Sequence, residues 1–344
     1  MATPLRSAHG GAPRPTMDDV ARLAGVSLKT VSRVVNGEAG VAQGTTERVH
    51  TALASVNFRR NDIARSLKRT LTTSSIGLVT KDLANPFYAT RARAVGEVAR
   101  RHGFLVLSAS SDENQERERE ILTAFLGRRV DGLIVVPTSG SQEFLAREQA
   151  AGVQLVFVDR PAMGVAADTV LIDNAAGVLT GVRHLAAHGH RRVGYLGDAP
   201  DIFTAVERVR GFRQAVASLA LDVDPALVRQ GLHDSAGAQE QAASMLAGAN
   251  PPTALFASNN VITVGALRAL RQRRGQALAL VGFDDFDLAD LIDPPVTVIA
   301  VDAAALGRRA AERLFARLAG NTASPQTEVL ATRLIVRGSG EVRA

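Results

Sequence analysis

Short apolar runs alternate with segments of helical length through most of the chain, and this alternation constrains the fold more than any other feature of the sequence. Turn residues bound each run, as they do for strands buried in a sheet. The runs form a first series at residues 75–79, 104–109, 132–136 and 154–158 and a second series at 193–196, 227–231, 254–257, 278–283 and 296–300. Strands that alternate with helices in this way form parallel sheets, so we expect two α/β lobes.

The crevice between these lobes is the predicted ligand site, because ligands of parallel sheets bind outside the carboxyl ends of the strands. No apolar stretch of about 18 residues occurs, so the sequence excludes a membrane-spanning helix. Cysteine is absent, which excludes disulfides and thiolate metal sites and fits a reducing cytoplasm. We therefore expect a cytoplasmic protein.

The segment before the lobes is predicted to be a small helical unit. Thr16 can cap a first helix, Gly25 can end it in a tight turn, and Ser27 can cap a second helix. A third helix over residues 45–57 would close the core with its apolar side chains. The outward face of the second helix carries Leu28, Lys29, Ser32 and Arg33. Two helices joined by a short turn, the second with a basic outward face, predict a helix-turn-helix.

The positive charge of the chain is concentrated in this amino-terminal part. Residues 1–70 contain 2 lysines and 9 arginines against 3 aspartates and 2 glutamates, whereas the rest of the chain has as many acidic as basic residues. A basic module followed by a neutral body is typical of a nucleic-acid-binding protein. On charge alone, a solvated basic surface is the alternative. Residues 1–15 contain prolines and glycines but no apolar run, so they are predicted to form a disordered tail rather than a secretory signal.

Residues 17–37, MDDVARLAGVSLKTVSRVVNG, resemble the headpiece of the LacI/GalR family of bacterial regulators. The resemblance continues through Phe58-Arg59-Arg60-Asn61, Ala64-Arg65-Ser66-Leu67, Asn85-Pro86-Phe87, Arg128-Arg129-Val130-Asp131-Gly132, Val158-Asp159-Arg160, Gly189-His190-Arg191-Arg192 and Gly282-Phe283-Asp284-Asp285. It implies a small all-α helix-turn-helix headpiece plus an α/β two-lobed periplasmic-binding-protein-like body. It further implies a homodimeric repressor that binds a two-fold symmetric DNA operator and responds to a small-molecule effector. Ala42 replaces the family's usual serine, so we expect a weaker cap on the third helix.

The domain boundaries combine these patterns with the resemblance. We expect the tail at 1–15, the headpiece at 16–60, a hinge helix and linker at 61–71, and an effector-binding and dimerisation domain at 72–344. The N-lobe would comprise about 72–171 and 301–327, and the C-lobe about 172–300 and 328–344. The resemblance thus implies that the chain crosses between the lobes near residues 172, 300 and 328.

Three residues of the second helix are the candidates for reading bases. Lys29 and Arg33 can reach O6 and N7 of guanine in the major groove, and Leu28 can contact a thymine methyl group. The resemblance implies that Leu67, followed by Lys68, wedges into the minor groove from the hinge helix, with ordinary packing as the alternative for Leu67. Predicted phosphate contacts come from Thr16, Ser27, Thr30, Ser32, Asn36, Arg59, Asn61 and Arg69.

The effector candidates lie at strand ends and at one helix start. Asp159 and Asp284 each follow an apolar strand, where a carboxylate can accept hydrogen bonds from ligand hydroxyls, although each can instead cap the next loop. Phe87 follows the predicted cap Asn85 and can stack on a ligand ring or begin an apolar helix face. The resemblance adds Arg208 and Asn259, which match family positions that contact effector hydroxyls or carboxylates, and further candidates are Arg160, Thr204 and His233. For Arg208, an ion pair between lobes is the alternative.

The effector class follows from the family alone, which favours a sugar. Asn260 stands where the family usually has aspartate, and the chain has no tryptophan, so the crevice lining is unusual. No phosphate-binding loop, HExxH or GxSxG motif occurs, and we therefore expect no enzymatic activity, cofactor or metal. The alternatives are a solute-binding protein, which would lack the basic headpiece, and an architectural DNA-binding protein, which would lack the ligand-binding body.

Overall fold

The computed structural model describes residues 15–56, 58, 73–272 and 278–344. The chain divides into two compact units, Met1–Leu71 and Thr72–Ala344, which are called the headpiece unit and the body below. None of the helices described has the length and apolar character that crossing a membrane requires.

The headpiece unit contains three helices, α1 (Met17–Ala24), α2 (Leu28–Val35) and α3 (Gln43–Ser55). Thr16 caps α1 as predicted: its hydroxyl accepts from the amide of Asp19, whose carboxylate accepts from the Thr16 amide at 2.9 Å. Gly25 ends α1 with φ of 63°, and Ser27 caps α2. The helix α3 begins after Ala42 without a side-chain cap, as the missing serine predicts. It starts and ends two residues earlier than predicted.

The first sheet of the body is entirely parallel and has the strand order β11-β5-β4-β3-β1-β2. Its strands are β1 (Ser75–Thr80), β2 (Leu105–Ser110), β3 (Gly132–Val135), β4 (Gln154–Val158), β5 (Asp168–Ile172) and β11 (Thr327–Leu330). The helices of this lobe are α4 (Pro86–Arg101), α5 (Gln115–Gly127), α6 (Leu145–Ala150) and α11 (Ala303–Leu318). We refer to these elements as the N-lobe.

The second sheet repeats this order as β12-β10-β9-β8-β6-β7, with β12 antiparallel to β10. Its strands are β6 (Val193–Leu196), β7 (Val228–Arg229), β8 (Ala254–Ala257), β9 (Ala279–Phe283), β10 (Thr297–Ala300) and β12 (Arg333–Ile335). The helices of this C-lobe are α7 (Asn174–Ala187), α8 (Phe203–Ser218), α9 (Ser235–Leu246) and α10 (Asn260–Gln272), and a short 3₁₀ turn spans Pro225–Leu227.

Helices cover both faces of each sheet, which explains why the central strands read as continuous apolar runs. The body therefore has the two predicted α/β lobes. The sequence patterns did not predict β5, β11 or β12, and β7 is shorter than the run at 227–231 suggested. Only two residues of the predicted strand 227–231 pair with the neighbouring strand β6.

The chain crosses between the lobes after β5, after β10 and after β11. The first two crossings agree with the predicted positions near 172 and 300. The third comes later than the predicted position near Glu328, because β11 continues to pair with β5 as far as Leu330. Glu328 therefore belongs to the N-lobe sheet, where its carboxylate accepts hydrogen bonds from Arg309 and Arg313 of α11.

Candidate DNA and effector sites

The helix α2 presents a mixed apolar and basic face to solvent. Leu28 and Lys29 are exposed, whereas Val31 and Val34 are buried in the headpiece core. The guanidinium of Arg33 instead lies along the loop after α2, since its Nη2 donates to the Ala39 carbonyl at 2.6 Å. The predicted base-reading side chains thus lie on the outward side of α2, and Arg33 has an internal partner there.

Three of the hydroxyl groups predicted to contact phosphates, those of Thr16, Ser27 and Thr30, lie at helix starts of the headpiece unit, and that of Ser32 lies further along α2. Ser27 caps α2, and its hydroxyl lies 2.9 Å from that of Thr30. Ser32 accepts from the side-chain amide of Asn36 at 3.3 Å, and Thr16 caps α1. Helix starts attract anions because their amide groups point outward. The other predicted DNA contacts fall outside the described residues: Arg59, Asn61, Leu67, Lys68 and Arg69.

Asp159 and Asp284 occupy equivalent places in the two sheets. Asp159 follows β4 and Asp284 follows β9, and these strands are third in their sheets. Both residues have positive φ, 73° and 64°. Each amide donates to the neighbouring strand, to Val170 at 2.8 Å and to Ile299 at 2.9 Å. Left-handed backbone is costly for aspartate and is often found at ligand sites, so the shared conformation marks these two strand ends.

In the C-lobe, Asp284 is paired with Arg208 of α8. Arg208 Nη1 lies 3.5 Å from Asp284 Oδ2 and donates to the Ser258 carbonyl at 2.5 Å. Arg208 Nε donates to Asn174 Oδ1 at 2.7 Å, and the guanidinium lies 3.9 Å from the centre of the Phe283 ring. Among the described residues, Asp284 Oδ1 has no hydrogen-bond partner although it is buried. Burial raises the pKa of the Asp284 carboxyl to about 6, and Arg208 opposes this rise.

The N-lobe contains a corresponding pair, Arg91 of α4 and Asp159. Arg91 is only 1% exposed, and its Nη1 lies 3.7 Å from Asp159 Oδ2. Its Nη2 donates to the Thr80 hydroxyl at 2.9 Å, and its guanidinium lies 4.9 Å from the centre of the Tyr88 ring. Arg91 Nη1 and Asp159 Oδ1 are buried without a hydrogen-bond partner in the described part of the chain. The negative charge of Asp159 also contributes to the raised pKa of Asp284.

Sequence reasoning did not single out Arg91. The one available signal was its position on the apolar face of α4, where it shares the helical spacing of Ala94, Val95 and Val98. A cation on the buried stripe of a helix requires a partner inside the fold, and here that partner is Asp159.

A chain of ion pairs runs beside these two pairs. Arg160 donates two hydrogen bonds to the Glu113 carboxylate, at 2.6 and 2.7 Å. Lys81 Nζ lies 3.5 Å from that carboxylate and 3.1 Å from Asp198 of the C-lobe. Burial opposes ionisation of Glu113, but the hydrogen bonds from Arg160 prevail and lower its pKa. The predicted residue Arg160 is thus held by Glu113, and Lys81 links the lobes.

Two further contacts join the lobes. Asn85, which caps α4, exchanges hydrogen bonds with Asn260 of α10. The hydroxyl of Ser139 donates to the Asp201 carboxylate at 3.0 Å. Asn259 donates to Asp198 at 3.3 Å and accepts from the amide of Ile262 at 2.8 Å, which places it at the start of α10.

The remaining predicted effector residues take different positions. Phe87 packs against the N-lobe core, while the ring of the neighbouring Tyr88 lies beside the guanidinium of Arg91. Burial raises the pKa of Tyr88 to about 12, opposed by Lys81. His233 is at the rim, with its side chain 69% exposed and its Nδ1 3.6 Å from Asp198. Thr204 is buried in the first turn of α8.

Comparison with known proteins identifies both units. Residues 16–61 match the family described as bacterial regulatory proteins, lacI family, and residues 182–340 match the periplasmic binding protein-like domain. The HTH-type transcriptional regulator CelR of Thermobifida fusca is 34% identical over 95% of this chain and 98% of the relative. The ribose operon repressor of Haemophilus influenzae is 31% identical over 94% of this chain and 98% of the relative.

Solved structures agree over the same length. The lac repressor dimer bound to operator and the anti-inducer ONPF superposes with a TM-score of 0.83 at 27% identity, over 96% of this chain and all of the other. The complex of the transcriptional regulator CelR with cellobiose gives a TM-score of 0.71 at 30% identity, over 95% of this chain and all of the other. The predicted fold class is confirmed, and the relatives are transcriptional regulators.

Proposed function

The chain belongs to the LacI family of bacterial regulatory proteins, and on that premise we propose that it is a sequence-specific transcriptional repressor whose affinity for DNA is controlled by a sugar-class effector. The observation that carries this proposal is the presence in one chain of an outward basic helix face and a body in which each lobe buries, at a strand end, a carboxylate oxygen without a hydrogen-bond partner among the described residues. Neither a solute-binding protein nor an architectural DNA-binding protein has both features, and the full-length relatives favour neither.

For DNA recognition we assign base contacts to Leu28, Lys29 and Arg33 of α2. The hydrogen bond from Arg33 to Ala39 is between exposed groups and costs little to exchange for guanine. Two headpieces in a homodimer would contact the half-sites of a two-fold symmetric operator. The family resemblance assigns the minor-groove wedge to Leu67 with Lys68. Phosphate contacts come from the headpiece hydroxyls described above and from Arg59, Asn61 and Arg69.

For effector binding we assign the central contacts to Asp159, Arg208 and Asp284, with Asn259 and Thr204 beside them. Buried carboxylate oxygens without a partner carry a desolvation cost, which a ligand hydroxyl removes by donating to them. Because these groups come from both lobes, a ligand that contacts both stabilises one lobe arrangement over others. Such a shift would change the affinity for DNA by linkage. The protein acts in the cytoplasm and without catalysis.

Two measurements on the full-length protein test this function. Selection of bound sites from random DNA should yield a palindromic sequence, and light scattering should show a dimer on it. A stable monomer bound to one half-site would overturn the dimer and operator assignment.

The second measurement is a thermal-shift screen with sugars, nucleosides and small acids, because a ligand that binds only the folded state raises its melting temperature. A compound that raises the melting temperature should also alter the affinity for the selected operator. Stabilisation without any effect on DNA binding would separate the two units functionally and contradict effector control.

A further inference from the structure

The charged groups between the lobes are balanced. They fall into pairs of opposite sign: Arg91–Asp159, Arg208–Asp284, Arg160–Glu113 and Lys81–Asp198. At neutral pH the group as a whole therefore carries as many cations as anions. A ligand that brought its own phosphate or carboxylate into this buried region would leave a charge without a partner, which disfavours its binding.

Three of the buried atoms that have no hydrogen-bond partner in the described residues indicate what the ligand must supply. Asp159 Oδ1 and Asp284 Oδ1 are acceptors, while Arg91 Nη1 is a donor, and all three are buried. A hydroxyl group both donates and accepts, so hydroxyls on one small molecule satisfy both kinds of atom. An anionic group can accept from Arg91 but is repelled by the two aspartates.

Arg91 is central to this balance. The Arg208–Asp284 pair of the C-lobe has its counterpart in Arg91–Asp159, with similar separations of 3.5 and 3.7 Å. Without Arg91, the N-lobe half would present Asp159 as an unpaired buried anion. The side chain is held in place by its hydrogen bond to Thr80 and by the Tyr88 ring, which leaves Nη1 for a further bond.

We propose that Arg91 is a specificity-determining residue that donates to the effector from the N-lobe, and that the effector is an uncharged polyhydroxylated molecule rather than a phosphorylated or acidic one. This inference rests on the proposed function, because it concerns the same site. The competing role for Arg91 is purely structural, a buried tie between α4 and the end of β4 that never touches ligand.

Calorimetry and thermal shift on the full-length protein test the ligand class. The probes are ribose, glucose, glucitol and cellobiose, each beside a charged counterpart: ribose 5-phosphate, glucose 6-phosphate, gluconate and cellobionate. An uncharged probe should bind and its counterpart should bind at least about ten-fold more weakly. Tighter binding of any charged counterpart overturns this inference while leaving effector control intact. Absence of binding by every probe, while a nucleoside or acid from the thermal-shift screen alters DNA binding, also overturns this inference and leaves effector control intact.

Substitutions test Arg91 itself with the uncharged probe that binds. Arg91→Gln should lower its affinity about ten-fold or more, and Arg91→Lys, which keeps the charge beside Asp159, should lower it less. Arg93→Gln is the matched control on the same helix, since Arg93 is exposed and pairs only with Glu97 among the described residues. Wild-type affinity in Arg91→Gln overturns the assignment.

A reversal of charge preference separates ligand contact from structural support. Asp159→Asn leaves Arg91 as a cation without a partner, so this variant should bind the charged counterpart at least about ten-fold more tightly than the wild-type protein does. A purely structural Arg91 predicts a lower melting temperature in Arg91→Gln and Asp159→Asn with the preference for uncharged probes unchanged. Arg91→Lys provides the same comparison if Arg91→Gln does not fold.

Discussion

Asn85 and Asn260 exchange two side-chain hydrogen bonds between the lobes, at 3.2 Å from Asn85 Nδ2 to Asn260 Oδ1 and at 3.0 Å from Asn260 Nδ2 to Asn85 Oδ1. The family's usual aspartate at position 260 accepts but does not donate, so it can make only the first of these bonds. Asparagine at position 260, in place of the family's usual aspartate, therefore allows two hydrogen bonds to Asn85 where aspartate allows one.

Asn260→Asp should weaken the contact that this amide pair makes between the lobes. The lost hydrogen bond is worth about 1 kcal/mol, so effector affinity should fall about five-fold, and calorimetric titration measures the change. Asn250→Asp introduces the same charge at an exposed position of the C-lobe and is the control. Equal effector affinities in the wild-type protein and Asn260→Asp would show that the amide pair does not stabilise the lobe arrangement that binds the effector.

Lys29→Ala and Arg33→Ala should each weaken binding to the best DNA site by about 1 to 3 kcal/mol and broaden the selected sequence. On the proposed assignment both substitutions remove a donor to base edges, so the loss should be smaller on non-specific DNA. Band-shift titrations and repeated site selection measure the two effects, with Arg210→Ala in the body as the control. An unchanged sequence preference in Arg33→Ala would place base readout elsewhere.

Ala42→Ser should stabilise α3. A serine hydroxyl at the position before the helix accepts from a first-turn amide that now has no side-chain cap, which is worth about 1 kcal/mol. Amide hydrogen exchange in α3 should slow about five-fold. Ala39→Ser changes an exposed loop residue before α3 and should leave exchange in the helix unchanged; equal slowing in both variants would rule out capping as the cause.

Asp284 should make stability depend on pH between about 4 and 6. Its pKa in the folded protein, about 6, lies above the ordinary aspartate value because of burial, so the folded state binds the proton more tightly than the unfolded state does. The contribution of Asp284 to stability is therefore greatest when the residue is protonated, below about pH 4, and it falls as pH rises through 6, by about 3 kcal/mol in total.

Asp284→Asn should remove this fall, so its stability relative to the wild-type protein should rise between pH 4 and pH 7. Denaturant unfolding across that range measures the difference, and Asp287→Asn at an exposed position is the control. Effector affinity in the wild-type protein should also decline below about pH 6, because the protonated carboxyl accepts ligand hydroxyls less well. Parallel pH profiles for wild type and Asp284→Asn would contradict the assigned pKa.

The sequence predicted the elements whose periodicity survives in the fold. The central strands lie under helices on both faces and therefore read as apolar runs, and α2 carries its valines at helical spacing. The strand β5 escaped prediction because it begins with Asp168 and Thr169, whose burial depends on a distant partner: Arg317 of α11 donates to Asp168 at 2.7 Å.

The same apolar periodicity indicates part of the candidate site, because it shows where strands end. Asp159 and Asp284 follow apolar strands, and a strand end is visible in the sequence. The rotation of α4 against the sheet decides whether Phe87 or Tyr88 faces the ion pairs at the strand ends. The sequence does not reveal that rotation, because the two aromatic residues are adjacent. The pairing of Arg91 with Asp159 likewise joins residues far apart in the chain, and only the packed lobe brings them together.

The three crossings between the lobes also limit which parts of the protein can be exchanged for those of a relative. The helix-turn-helix is one contiguous stretch, so a single breakpoint near the boundary between Leu71 and Thr72 exchanges it whole. No single breakpoint exchanges one lobe, because each sheet is built from stretches that are separated in the chain. The strand β11, which belongs to the first sheet, follows β6 to β10 of the second sheet and precedes β12. Exchange of the headpiece thus takes one breakpoint, whereas exchange of one lobe takes several.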